Sequence, residues 1–493
     1  MIAHLAAGGI PATFCPRAEL MTSHETHPID HPFGRRRASL ALAATAVAGA
    51  VALPGCTLHR VDQQPSPVVA GPESYPASES LESPAGGAGK PTGEAWWRGF
   101  GDARLDALMK RALARNFTVA EAAARVWHAR ATAGLGGAKL VPSIDLSGVT
   151  KVIEPGGKAV DVVGMVSWEI DLFGRIGSRD RAATHEVLAT QGDLDAARVT
   201  LSADLAQVYY GASEHRQLIG LLAKQRKRTT RLLDKVEPRG KAGSKSPADV
   251  VRLRAQLLGV EAMIPNARAA LRLDENRLDV LLGRPVDGRD RVGVHGFPPL
   301  PDVLPTGVPA DLLVRRPDLR VLRHRLVASD HLIATAIAER LPRVELTGAL
   351  VSGTSVPGAV ASVMGEFVKP LLEWGERKDA VSGRRAGHAE ALAAFTNAYL
   401  EAISEVDGLL YQERCKREQI RLLELQIEAY EDSVSQARRA YRRGRRNYLP
   451  LIMAVESLQE AERALLARRH ELISLRITLH RALGGAVPGN QRG

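Results

Sequence analysis

Polar and apolar residues alternate strictly in two short stretches that lie 200 positions apart, VPSIDLSG at residues 141–148 and LPRVELTG at residues 341–348. Each has a proline, then a period of two, then a glycine, the pattern of a strand with two different faces. In the first, Ile144, Leu146, Gly148, Thr150 and Val152 share one face while Ser143, Asp145, Ser147 and Lys151 share the other. The turn sequence Glu154-Pro155-Gly156-Gly157 follows. The return strand then sets Val160, Val162, Gly164, Val166, Trp168 and Ile170 against Asp161, Ser167, Glu169 and Asp171.

Elsewhere the period is helical. After Gly243, apolar residues fall at Val250, Leu253, Leu257, Val260, Ile264, Ala267, Leu271, Leu278 and Leu281, in steps of three and four with Asp274 as the one lapse. That is a coiled-coil seam. Moving 201 positions along from Val250 and its heptad partners gives Leu451, Leu458, Leu465, Leu472 and Leu479, a second seam in the same register. The punctuation repeats too: Pro142 recurs as Pro342, Gly174 as Gly375, Tyr210 as Tyr411, Gly243 as Gly444 and Gly283 as Gly484. Landmarks held at one spacing across so much chain imply a tandem duplication.

Each half therefore reads as helix, hairpin, long helix, turn, helix. The first repeat, 93–298, has a helix from about Asp102 to Lys139, a hairpin over about 142–170, a helix from about Gly177 to Val236, a turn near Gly243 and a helix from Pro247 to Leu282. The second, 299–486, has its hairpin over about 342–370, its long helix from about Arg377 to Arg443 and its turn near Gly444, before a tail at 487–493. At 1.5 Å per residue the long helix of the first repeat spans roughly 90 Å. No compact globular domain contains such an element.

Taken alone, the hairpins would suit a half-buried soluble sheet as well as a membrane barrel with a wet interior. Two hairpins supply four strands, and four strands neither close a barrel nor leave edges that lipid tolerates. Two copies would give eight strands with little or no channel, and three would give twelve, which enclose one. A spanning reading thus requires an oligomer larger than a dimer.

Composition narrows the class. The chain has 493 residues, 45% hydrophobic and only 4% aromatic, with a formal net charge of +11. It can bury a core, and the charge alone would fit a nucleic acid, an anionic membrane or a coding bias toward Arg. The cysteines, Cys15, Cys56 and Cys415, show no metal or disulfide spacing, and Cys415 reads as a small packed residue within a helix. Cys56 is different. Arg35, Arg36 and Arg37 precede an apolar run from Ala38 to Ala52 and then Leu53-Pro54-Gly55-Cys56, a charged region, a short apolar core and a cleavage site. The end resembles a bacterial lipobox, with Pro54 a less usual member. Residues 1–55 are thus expected to be a lipoprotein signal segment, with Met21 an alternative start, and Cys56 the lipidated first residue of the mature chain. Thr57, where an Asp would signal retention, fits the outer membrane. Residues 56–92, rich in Pro, Ser, Gly and Glu, read as a flexible linker.

With these residues in view, the chain resembles the outer-membrane efflux channels of the TolC-like, NodT-type lipoprotein family. The motifs that carry the resemblance are Trp97-x-x-Phe100-x-Asp102-x-x-Leu105, Ser167-Trp168-Glu169-Ile170-Asp171-Leu172-Phe173-Gly174-Arg175, Leu312-Leu313-Val314-Arg315-Arg316-Pro317-Asp318-Leu319-Arg320, Tyr441-x-x-Gly444 and Ala482-Leu483-Gly484-Gly485. The resemblance implies a mainly α fold with β, a tandem-repeat outer-membrane efflux protein fold. Its barrel would be a homotrimer of twelve strands, four per chain, continued by a periplasmic α-helical coiled-coil barrel. It implies a passive exit duct for small toxic compounds or drugs, fed by an inner-membrane RND-type pump and a periplasmic adaptor protein. No enzyme activity, cofactor or metal is implied, apart from the covalent lipid on Cys56 and contact with outer-membrane lipid.

In such channels the turns near Gly243 and Gly444 lie at the periplasmic tip, where the entrance closes, the adaptor docks and acidic residues can ring the aperture. Asp249 matches that place in the first repeat, whereas Pro450 and Met453 stand in the second. The second repeat instead has Arg438, Arg439, Arg442, Arg443, Arg445 and Arg446 beside Tyr441 and Tyr448. In a soluble protein this run would suggest phosphates on Arg and bases on Tyr. Export removes a nucleic-acid partner, and a solvated helix end explains the charge. Asp249, Arg442, Arg445 and Arg446 are the candidate entrance or adaptor contacts. Glu169 with Asp171, and Arg315 and Arg316 with Asp318, read as turn and helix-start residues rather than as acid/base groups. Two rival readings use the same features: a type I protein-secretion exit duct and a structural envelope coiled-coil lipoprotein.

Overall fold

The computed structural model describes residues 58–79, 95–153, 157–241, 247–289, 292–293, 296–300, 308–354, 356–368, 375–443 and 448–485. Helix α1, Ala103–Arg115, starts where the Asp102 carboxylate accepts the Arg104 and Leu105 backbone N–H groups at 2.9 and 3.1 Å. The expected single helix to Lys139 is in fact two, because Asn116 adopts an extended conformation (φ −69°, ψ 130°). Its Oδ1 caps α2, Phe117–Gly137, by accepting from the N–H groups of Thr118 and Val119. Its Nδ2 donates to the carbonyl of Leu281, which is the last residue of α4. Asparagine satisfies three backbone groups at once, so the break is stable although buried.

Strands β1, Ser143–Ile153, and β2, Gly157–Ile170, form the first hairpin. Helix α3, Arg175–Lys241, is 67 residues, roughly 100 Å, and returns as α4, Pro247–Leu281. The second repeat follows the same plan. A helical turn, Leu312–Arg315, precedes α5, Pro317–Ala338. Strands β3, Arg343–Gly353, and β4, Val356–Val368, follow, then α6, Glu376–Arg442, also 67 residues, and α7, Leu449–Ala482.

The second repeat also rebuilds the junction at the break, with different chemistry. Arg316 stands 200 positions after Asn116, takes the same extended conformation, and donates from Nη1 to the carbonyl of Ala482, the last residue of α7. Beside each junction a glycine at positive φ lies hard against the preceding backbone. A Cβ on Gly283 (φ 65°) would sit 2.3 Å from the Arg115 carbonyl oxygen, and one on Gly484 (φ 88°) 2.5 Å from that of Arg315. Only glycine fits such a place.

Four strands pair antiparallel in the order β1-β2-β3-β4, so the two hairpins join through β2 and β3. The helices have no single core. Apolar clusters recur along them: around Trp96, Phe100, Leu205 and Leu278; around Leu326, Phe395, Val406 and Leu479; around Leu222, Val260 and Ile264; and around Val236, Leu253, Val434 and Leu458. Slender coiled coils bury apolar area this way, each level held by its own seam residues. The heptad lapse at Asp274 has a partner, His215 Nδ1 on α3 at 2.7 Å.

Residues 58–79 run against α5 and α6. His59 meets Asp330 at 2.5 Å, Val68 N–H donates to Thr396 Oγ1, Ala77 N–H donates to Asp407 Oδ1, and Tyr75 is wholly buried. Cys415 corrects an expectation: it is exposed on α6 rather than packed. The buried stripe there runs through Val406, Leu409, Leu410 and Glu413, and position 415 falls off it.

Candidate functional site

The sheet has one apolar side, while its other side mixes polar and charged residues with apolar ones such as Val163, Met165 and Met364 across both repeats. Register places Ile144 opposite Val166, Val166 opposite Gly348, and Gly348 opposite Val363. Leu146, Gly164 and Leu350 form a similar row, and Phe367 pairs with Val344. Many of these side chains are open: Ile144 is 78%, Leu146 79% and Val363 85% exposed. The other side carries charge. Glu169 lies opposite Glu345, and Glu345 opposite Glu366, a row of three carboxylates on adjacent strands. Like charges placed side by side in a sheet repel, and the exposed Glu345 and Glu366 of this row suit a side that faces water.

The junction between sheet and helices is built from the motif after the first hairpin. Trp168, 9% exposed, donates its indole N–H to the Leu140 carbonyl at 3.1 Å. Glu169 pairs with Arg175 at 2.7 Å. Asp171 accepts the backbone N–H groups of Ile176 and Gly177 at 3.0 and 2.7 Å, capping the first turn of α3. Gly174 provides the left-handed residue of the bend (φ 69°). These carboxylates are fully used in turning the chain, and nothing about them is arranged for proton transfer.

At the opposite end of the helices, Tyr441 and Tyr448 meet edge to face with centroids 4.6 Å apart. Tyr448 is buried with Val236, Leu253, Leu451 and Ile452. Arg442, in the last turn of α6, lines a cavity of about 930 Å³ together with residues of α3 and the start of α7. The cations there are Lys224, Lys227, Arg228, Arg231 and Lys235 from α3, with Arg438 and Arg442 from α6, and no Asp or Glu lines it. Asp249 sits half-buried in the first turn of α4 and does not line this cavity. Cys56, Arg445, Arg446 and the glycines 243 and 444 lie outside the described residues. Sequence reading singled out the arginines of α6 but missed the α3 cations. Their spacing, 224, 227, 228, 231 and 235, is a helical stripe that periodicity applied to charge would have found.

The profile of the outer membrane efflux protein family matches residues 108–284 and 308–485. The chain belongs to the outer membrane efflux protein family. Among its relatives, the toluene efflux pump outer membrane protein TtgF of Pseudomonas putida is 27% identical, the match covering 89% of this chain and 96% of that protein. The pyoverdine export outer membrane protein OpmQ of Pseudomonas putida is 25% identical, over 79% of this chain and 87% of that protein. Among solved structures, the outer-membrane channel OprN superposes with a TM-score of 0.78 at 26% identity, covering 87% of this chain and 99% of that one.

As a member of this family the chain is an outer-membrane efflux channel protein with the TolC-like fold. The family assignment gives the two-sided sheet its surroundings. The side formed by Ile144, Leu146, Val166 and Val363 suits lipid, and the Glu169-Glu345-Glu366 row suits a wet lumen. Among the described residues no helix is long and apolar enough to cross a membrane.

Proposed function

We propose that three copies of this chain close a twelve-stranded barrel and form the exit duct of a tripartite efflux pump. The observation that carries the reading is the open sheet. Strands β1 and β4 each have one neighbour, and the face they share is apolar and exposed. Lipid does not tolerate free edges, so further strands must come from other copies. Exposed Val251, Leu258, Leu273 and Val280 on α4 add an unpartnered apolar stripe that copies would cover. An inner-membrane pump of the RND type and a periplasmic adaptor supply small toxic compounds. The duct is passive and catalyses no reaction, and a lipid on Cys56 tethers each copy.

The entrance lies at the turn after α6, where Arg442, Arg445 and Arg446 bias passage toward anions and, with Asp249, meet the adaptor. Native mass spectrometry and planar-bilayer recording of the detergent-extracted protein test the reading. A trimer with stepwise conductance is expected, and replacing Arg445 and Arg446 by Ser lowers the anion preference. A monomer without conductance would overturn the duct, and an unchanged preference in an intact trimer would overturn the role of the arginines.

A further inference from the structure

The cavity between the two helical hairpins has a charge balance that the duct reading does not use. Seven cationic side chains line it and no carboxylate does. Among the described residues Arg228 alone of the seven has a carboxylate partner, Glu462 on α7 at 3.0 Å. The remaining wall includes Leu232, Leu451 and the two tyrosines. An apolar wall lowers the local dielectric and strengthens what the cations do to a charged guest.

We propose that this cavity binds a small polyvalent oxyanion of the oligophosphate class. The α3 stripe from Lys224 to Lys235 extends over roughly 16 Å of helix, too far for a single phosphate to neutralise. A linear anion with several charged groups matches that spacing, and Arg438 and Arg442 close on it from α6. Guanidinium groups offer paired donors to each phosphoryl group, and the lysines add mobile point charges. The occupied site ties the α3–α4 hairpin to the α6–α7 hairpin through the ligand. Of the seven cations only Arg442 also belongs to the proposed entrance, and the variant below leaves it in place, so failure of the site and failure of the duct reading are distinguishable.

The test uses the full-length detergent-solubilised protein at constant ionic strength, with inorganic tripolyphosphate as the probe and orthophosphate for comparison. Calorimetric titration is expected to show tripolyphosphate binding at least about tenfold more tightly than orthophosphate, with a raised melting temperature. Replacing Lys224, Lys227 and Arg231 together by Gln is expected to weaken tripolyphosphate at least about tenfold. A control that replaces the exposed Lys378, Arg384 and Arg385 of α6 by Gln removes the same charge elsewhere and is expected to leave binding unchanged. Equal binding of the two anions, or unchanged binding in the cavity variant, would overturn the proposal. So would an equal loss in both variants, which would mean net charge rather than a site. A changed oligomeric size of the cavity variant would assign these cations to contacts with a neighbouring copy, and would equally overturn it.

Discussion

Single residues in the helical body carry charge where little water reaches. Arg476 on α7 is 1% exposed and Glu413 on α6 is 6% exposed. Arg476 Nε donates to Glu413 Oε2 at 3.0 Å, its Nη2 reaches Oε1, and Arg417 adds a bond to the same oxygen at 3.2 Å. A buried pair is worth little against an apolar replacement, but breaking it strands a charge. Glu413→Ala should therefore destabilise the protein by about 3–5 kcal/mol, whereas Glu413→Leu combined with Arg476→Met should recover most of that in denaturant unfolding. Histidines set the pH response. Burial, with nearby His185 and Arg181, pushes His331 down to about 4, and burial beside Arg476 does the same to His480. A depressed histidine is neutral in the fold and charged when unfolded, so its contribution is complete above about 6.5 and is lost as pH falls toward 4. His215 acts in a different window: its hydrogen bond to Asp274 raises its pKa, so its contribution is complete below about 6.5 and fades only as pH rises above that. The His215 contribution is constant below about 6.5, so His331 and His480 set the slope there and the melting temperature should drop between pH 6.5 and 4. Replacing His331 and His480 by Gln should flatten that slope.

At the scale of elements, the heptad seams and the alternating hairpins were readable because burial enforces period on sequence. Leu253, Val260, Ile264, Ala267, Leu278 and Leu281, all members of the expected seam of α4, are buried. Pro265 inside α4 did not end the helix, since its buried neighbours Ile264 and Ala267 hold both flanks. What escaped reading depends on contacts distant in sequence. The break at Asn116 joins a local cap on Thr118 and Val119 to a bond with the Leu281 carbonyl, 165 positions away, and only the first of these is written in the adjacent sequence. The glutamate row needs the pairing of β2 with β3 across the repeats, which no local pattern encodes. Residues 58–79 look like linker by composition, yet Tyr75 anchors them among α5 and α6 residues. The repeated junction yields a comparison of glycines. Gly283→Ala or Gly484→Ala should cost about 2–4 kcal/mol, from positive φ plus the clash with the facing carbonyl. Gly220→Ala, mid-helix in α3 with open space around the new methyl, should stabilise by about 0.5–1 kcal/mol. Chemical unfolding of the three variants side by side checks both signs.

For the whole molecule, the decisive asymmetry is between the two sides of one sheet. Val363 near the middle of β4 and Thr347 on β3 are close in space but belong to opposite sides: Val363 pairs with Gly348 in the apolar row, and Thr347 pairs with Met364 in the face that also carries Glu345. A soluble sandwich would bury the apolar side under another layer, and a lysine or arginine placed there would be rejected by packing whatever the solvent. In a barrel the same substitution meets hydrocarbon. Val363→Arg should then cost about 2–4 kcal/mol if it lies near the bilayer midplane, and less toward either rim. Thr347→Arg adds the same charge to the wet side, where it should leave folding intact and shift ion selectivity toward anions by offsetting the nearby glutamates. The two variants separate by readout: the first should lose its heat-resistant oligomer on unheated gels while the second keeps it and changes reversal potential in bilayers. Equal tolerance of both would mean that the side of Val363 is covered neither by hydrocarbon nor by a packed layer, and the lipid-facing assignment of that side would fall.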